Sequence, residues 1–329
     1  MRKVNSYQVL GASVIGLLGV VLFAAKSVFV KMAYEYHADA ISVLYLRMLF
    51  AFPLVLIVGL IYEKTKNTVP FRWMDILKVA GISVFGYYIS AVFDFAGLIY
   101  VEASIERLVL FLYPTMVIIL SMIFLKKPIT AKQVIAISVS YIGLLIAFGN
   151  KLIVHASPGF WFGISLILVS AITYAVFLTI SDKLIKQVGS VRFSTVATLT
   201  MCFCIIVHAN VTGKGTITGF PSQVYISCIL MAVLSTVIPV YMFNYAMSQL
   251  GASNISIISC FGPVCTLFLS AMMLKEVITL WQIAGTLIVV GGVLLINKED
   301  SEKQSWINRL GIMKPVFVPI TWIKKHMKQ

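Results

Sequence analysis

Five ionisable residues interrupt apolar stretches of this chain: Lys26, Arg47, Asp94 and the adjacent pair Glu106 and Arg107. A charge placed in hydrocarbon costs roughly 2.5–3.5 kcal/mol on insertion scales. Each of these groups must therefore reach a polar surface, meet a partner or bind something. Lys26 and Arg107 have stems long enough to snorkel to an interface. The short carboxylate of Asp94 does not, and needs a partner or water. Arg47 or Lys26 suits a carboxylate and Asp94 or Glu106 suits an ammonium, so the set suits a zwitterion; either acid is also a candidate carrier for a coupling proton. Tyr87 shares Asp94's helix face, seven residues earlier. Tyr174 and Asn244 are polar groups inside other apolar runs, although a buried tyrosine often only packs with its hydroxyl satisfied. These residues are the expected substrate-binding or gating set.

The elements that must position them are long and apolar. Of 329 residues, 60% are hydrophobic and 12% charged, and the mean hydropathy is +0.98. A soluble domain carries about 25% charged residues. The lipid bilayer is therefore this chain's first partner. Ten apolar spans fall near 7–30, 40–62, 76–99, 103–125, 132–149, 159–181, 192–209, 222–248, 252–274 and 280–296. Each approaches the ~17–25 residues needed to cross. The first run is too long for a secretory leader and reads as a retained span. With the N-terminus inside, nineteen Lys and Arg residues fall on the inner side and four on the outer: Lys31, Lys151, Lys214 and Lys275. That asymmetry places both termini in the cytoplasm, with the protein in the cell (inner) membrane. The net charge of +14 follows from it and does not indicate a nucleic-acid partner. At ~1.5 Å per residue, Lys26, Arg47, Asp94, Glu106 and Arg107 share one layer roughly 5–10 Å below the outer surface.

Displacing the chain by 149 residues lays 101–133 on 250–282 without a gap. Pro114 meets Pro263, Ala103-Ser104 meets Ala252-Ser253, Ile129-Thr130 meets Ile278-Thr279, and Gln133 meets Gln282. Five spans plus five makes each half the inverse of the other. The expected fold is an all-α integral membrane protein of ten transmembrane helices in two inverted five-helix repeats. The halves are 7–149 and 159–296, followed by a basic cytoplasmic tail, 297–329. In such architectures the site lies near the midplane, between the halves. Pro114 and Pro263 each remove an N–H in mid-span, so the fourth and ninth helices should kink or break. Asp94, Glu106 and Arg107 map to Phe243, Ile255 and Ser256. This predicts an outer gate held by ion pairs and an inner gate held by packing.

The segment 250–296 resembles the EamA-type module of the drug/metabolite transporter superfamily. The features that carry the resemblance are Gly251-Ala252-Ser253, Pro263, Lys275-Glu276, Ile278-Thr279, Gln282, Gly285 and Gly291-Gly292. The first half matches at Ala103-Ser104, Pro114, Ile129-Thr130, Gln133 and Gly143, and departs at Lys127, where the family commonly has Glu. The resemblance spans residues 8–297. It implies a ten-helix bundle whose fifth and tenth helices are peripheral while the others line a central cavity. It also implies transport of amino acids, other metabolites or sugar derivatives, with many exporters among its members.

The expected function is secondary transport of a small metabolite, foremost export of an amino acid or related zwitterion by alternating access. A phosphorylated sugar or nucleotide sugar is the alternative substrate, since three intramembrane cations could hold phosphate. Lipid-linked substrate translocation and a non-transporting membrane scaffold are alternatives of another class. No nucleotide-binding loop, histidine–glutamate metal motif or paired catalytic aspartates occur in the sequence, so no catalytic residue, metal or cofactor is expected. The five cysteines all lie in apolar runs and read as small hydrophobes. The small residues from Gly285 to Gly291-Gly292 could support a homodimer or could pack within the fold.

Overall fold

The structure is a computed structural model describing residues 6–65, 72–110, 112–126, 129–154, 159–274 and 279–297. These form ten helical segments: α1 (Ser6–Tyr34), α2 (Ala40–Thr65), α3 (Trp73–Gly97), a two-piece α4 (Ala103–Leu110 and Tyr113–Leu125), α5 (Ala131–Val154), α6 (Phe160–Val188), α7 (Ser190–Val211), α8 (Ser222–Leu250), α9 (Ala252–Met273) and α10 (Leu280–Asn297). No strand occurs among the described residues. All but α4, α5 and α10 are long and apolar enough to cross a bilayer. Those three contribute the shorter apolar helices Tyr113–Leu125, Gln133–Gly143 and Leu280–Val289. The protein is an all-α integral membrane protein of two inverted five-helix repeats. Large apolar side chains such as Leu280, Met272 and Ile123 stand exposed on its flanks, an arrangement suited to lipid.

Irregularities repeat along with the helices. Inside α3 a π-helical turn occupies Val84–Tyr88, and inside α8 another occupies Val233–Val237, each 149 residues from its mate. The fourth helix is interrupted between Leu110 and Tyr113; at the matching place α9 tightens to a 3₁₀ turn, Ser259–Phe261. Pro114 and Pro263 lie in the first turn of the helix that follows each interruption. There the missing N–H costs little, because first-turn donors have no partner within the helix anyway. The break therefore precedes each proline and does not centre on it.

The Thr-x-x-Gln motif has a local cause. The Thr130 N–H donates to Gln133 Oε1 (3.1 Å) while the Gln133 N–H donates to Thr130 Oγ1 (3.3 Å). Thr279 and Gln282 repeat the exchange at 2.8 and 3.3 Å. Both are capping boxes that start the last helix of a half. Gln133 goes on to donate to Asn254 Oδ1 across the halves (3.2 Å).

The first helix of each half crosses over. α1 packs against α8 and α9, and α6 packs against α3 and α4. Single glycines make the tightest links. Gly189 (φ +88°) joins α6 to α7 and Gly251 (φ +83°) joins α8 to α9, in backbone conformations that side chains resist. The small-residue run of α10 packs within the fold at Gly285: a Cβ on Gly143 of α5 would stand 2.6 Å from the Gly285 carbonyl oxygen. Several predicted borders move, the sixth helix's most. The sixth helix continues past 181 to Val188, which puts Asp182 inside it, 2% exposed, with the Lys186 ammonium 3.0 Å away one turn on. The predicted tail beyond Asn297 lies outside the described residues.

Candidate functional site

Lys26 sits two turns before the end of α1, and its side chain is 4% exposed. Its ammonium is paired with Asp94 Oδ2 of α3 and lies 3.3 Å from Glu106 Oε1 of α4. The next residue, Ser27, donates to the other Glu106 oxygen, Oε2, at 2.8 Å. Asp94 is 4% exposed and Glu106 fully buried. The Lys26 ammonium does not snorkel in this structure but points into the bundle, where it faces two carboxylates. Burial of such a cluster is tolerable only because each charge is paired and hydrogen-bonded.

Arg47 shares the layer but stands apart from this cluster. Its Nε donates to Thr236 Oγ1 of α8 (2.7 Å), and Nη2 approaches the Ser235 carbonyl at 3.4 Å. Its guanidinium carbon is 5.5 Å from the Phe95 ring centre, and the Lys26 ammonium is 5.7 Å from it. One buried aromatic ring thus stands within reach of two cations, a favourable arrangement. The Phe95 carbonyl accepts from the Tyr34 hydroxyl at 2.8 Å, which fixes that part of α3 to α1. Arg47 makes no salt bridge among the described residues. The helix position of Arg107 is seen in α4, but its side chain lies outside the described residues, as do Lys127 and Glu276.

A chamber opens beside these groups. Among the described residues its walls come from α1, α2, α3, α4 and α6 to α9, with none from α5 or α10. Lys26, Arg47 and Asp94 line it, whereas Glu106 stands behind Lys26, outside the lining. Tyr87, Tyr174 and Asn244 also line it. Tyr87 stacks on Phe177 with ring centres 5.1 Å apart, and Tyr174 stacks on the same ring at 6.1 Å. Tyr113 meets Tyr174 edge-on at 5.3 Å, so an aromatic wall runs from α3 through α6 to α4. Asn244 donates through Nδ2 to Ser194 Oγ at 2.9 Å. Pro263 lines the chamber and Pro114 does not; its neighbour Tyr113 does.

Sequence reasoning missed Ser27, Tyr113, Phe177 and Thr236. A polar residue beside a buried lysine was a usable signal for Ser27. The others look like ordinary helix residues, and only the fold brings them inward. Among the described residues, two groups on the chamber wall keep hydrogen-bonding capacity in reserve. Asp94 Oδ1 is buried and accepts no hydrogen bond among the described residues. Arg47 spends two of its five N–H donors. One offers an acceptor on a carboxylate and the other offers donors on a cation, on the wall of a mainly apolar space.

The profile of the EamA-like transporter family matches residues 10–149 and 161–298. An uncharacterized transporter of Bacillus subtilis (strain 168), YcbK, is 30% identical over 286 residues, which cover 85% of this chain and 89% of that protein. An uncharacterized transporter of Archaeoglobus fulgidus is 25% identical over 225 residues, covering 68% of this chain and 79% of that one. A solved crystal structure shares the fold at a TM-score of 0.71 with 14% identity, covering 88% of this chain and 98% of its own.

Proposed function

Because the chain belongs to the EamA-like transporter family and so moves a small molecule across a membrane, we propose that its cargo is an amino acid or a related zwitterion. We assign it to the cell membrane with both termini in the cytoplasm, exporting its substrate by alternating access. The observation that carries this reading is that Arg47 and Asp94 both line the chamber wall. Arg47 has N–H donors to spare for a carboxylate. Asp94 Oδ1 has acceptor capacity to spare for an ammonium. Each group is expensive to leave unmatched in a buried place, and a zwitterion matches both at once. The apolar and aromatic remainder of the wall takes the rest of the molecule. A sugar phosphate fits less well, because Lys26 is already engaged by Asp94 and Glu106.

The test is a thermal-shift screen of purified protein against metabolites, wild type beside Asp94→Asn. A ligand at 100 times its Kd stabilises the native state by about 2.7 kcal/mol. An amino acid should raise the melting temperature of the wild type and not of the variant. Stabilisation by sugar phosphates instead, or by amino acids equally in both proteins, overturns the assignment. Uptake of the hit into inside-out vesicles, and into right-side-out ones, then reads the direction. An imposed pH gradient reads whether a proton is coupled.

A further inference from the structure

Arg47 is gripped by a hinge. Both of its acceptors, Thr236 Oγ1 and the Ser235 carbonyl, belong to the π-helical turn Val233–Val237 of α8. The Thr236 hydroxyl gives its own proton to the Met231 carbonyl at 2.8 Å, which leaves a lone pair facing Arg47. Ser235 Oγ donates to the Leu22 carbonyl of α1 at 3.0 Å. One guanidinium on the first half therefore holds an irregular turn of the second half, and that turn is itself tied to α1.

The matching turn in α3 is held by other means. A Cβ on Gly86 would stand 2.3 Å from Phe177 Cβ and 2.9 Å from the Thr173 carbonyl oxygen, so this turn is seated directly on α6. The residue 149 positions after Arg47 is Val196, which offers no counterpart of the guanidinium. The two turns thus sit at equivalent places but are fixed differently. One is wedged by packing. The other is held by a hydrogen bond from a cation that also faces the chamber, where a ligand can compete for it.

We propose that Arg47 is an occupancy latch. With the chamber empty, its guanidinium grips Thr236 and Ser235 and keeps the α8 turn in place. A substrate carboxylate draws the guanidinium away and frees the turn, and α8 rearranges. Thr236 is a positioning residue that acts through Arg47. The exchange favours the ligand because a carboxylate accepts two charge-assisted bonds from a guanidinium, whereas the resting partners are a neutral hydroxyl and a carbonyl at 3.4 Å. A ligand shifts a conformational equilibrium only by binding its two states differently, and this change of partner supplies the difference. The latch rests on the zwitterion reading of the chamber.

Hydrogen exchange of the full-length protein, followed over Met231–Val240 with the standard L-amino acids added singly at millimolar concentration, tests it. An amino acid that raises the melting temperature should also speed exchange in the π-helical turn by roughly tenfold, the scale of one lost bond to a charged group. Thr236→Val should show the fast exchange without ligand and a lower KM in transport, since the guanidinium no longer has to leave a resting partner. Thr236→Ser, which keeps the hydroxyl, should restore both. Stabilisation by an amino acid with unchanged exchange in the turn overturns the latch and leaves the substrate reading standing. If no amino acid changes either quantity, both fail. The ligand comparison on wild-type protein decides the matter even where Thr236→Val does not fold.

Discussion

Replacing Lys26 with methionine puts the buried charge cluster to its hardest test. Methionine keeps much of the stem's volume and removes the ammonium, so Asp94 and Glu106 lose a cation in a place where their side chains are 6% and 0% exposed. Removing one partner of a buried ion pair costs about 3–5 kcal/mol. Here one ammonium serves two carboxylates, so the loss falls at the upper end. Asp94→Asn acts differently. Lys26 keeps Glu106, and an amide oxygen remains where Asp94 Oδ2 accepted, so the cost should be about 1 kcal/mol, the difference between a charged and a neutral hydrogen bond. In chains of 150–250 residues 1 kcal/mol shifts Tm by about 2–4 °C, and the lower figure suits a longer chain. Lys26→Met should then melt roughly 8–10 °C below wild type, and Asp94→Asn within roughly 3 °C of it. The assay is thermal unfolding of the purified full-length variants in one detergent, read by tryptophan fluorescence. A Lys26→Met protein as stable as wild type would refute the buried pairing. Equal losses in both variants would refute the argument that Lys26 is the shared cation.

Other consequences can be checked with the same preparation. Gly86→Ala should destabilise by about 1–3 kcal/mol through overpacking against Phe177, while Gly81→Ala, whose Cβ would meet nothing within 4 Å, should be neutral or slightly stabilising; denaturant titration separates them. Thr279→Ala removes one capping box and should cost about 1 kcal/mol, with faster hydrogen exchange confined to the start of α10. Asp39 lies between α1 and α2. Partial burial pushes its carboxyl up, but hydrogen bonds from Ser42 and Lys214 outweigh this and hold it below the ordinary 3.8. Its stabilisation is therefore present above that value and lost as pH falls through the folded-state value. The Tm advantage of wild type over Asp39→Asn should accordingly shrink on acidification below about pH 4.

Depth was legible in the sequence because helical rise is constant. Counting residues from span ends brought Lys26, Asp94 and Glu106 to one layer, and those three side chains meet. The same count placed Arg47 there but could not say what it faces. Its partner Thr236 lies 189 residues away, and only packing of α2 against α8 brings them together. The repeat was legible because prolines, capping pairs and glycines have few substitutes. The π-helical turns were not, since Val84–Tyr88 and Val233–Val237 share no residue types beyond valine at their first position. The sixth span was drawn to end near 181, where charged residues begin, whereas the helix continues to Val188 and buries Asp182. Of the aromatic wall, Tyr87 and Tyr174 were in the expected set, while Tyr113 and Phe177 were not, because tyrosine and phenylalanine recur in most of the spans.

A π-helical turn amounts to one supernumerary residue in an α-helix, and everything downstream is rotated by about 100° relative to an uninterrupted one. In α3 that phase shift falls between Ser83 and Ile89, upstream of Asp94. The carboxylate's bearing toward Lys26 is thus set by a length insertion a full turn away as much as by the choice of aspartate. The second half carries the same insertion, and there it sets the bearing of Asn244. A single-residue deletion in either turn would leave the chamber side chains beyond it chemically intact and point them away from the chamber, Asp94 in one half and Asn244 in the other.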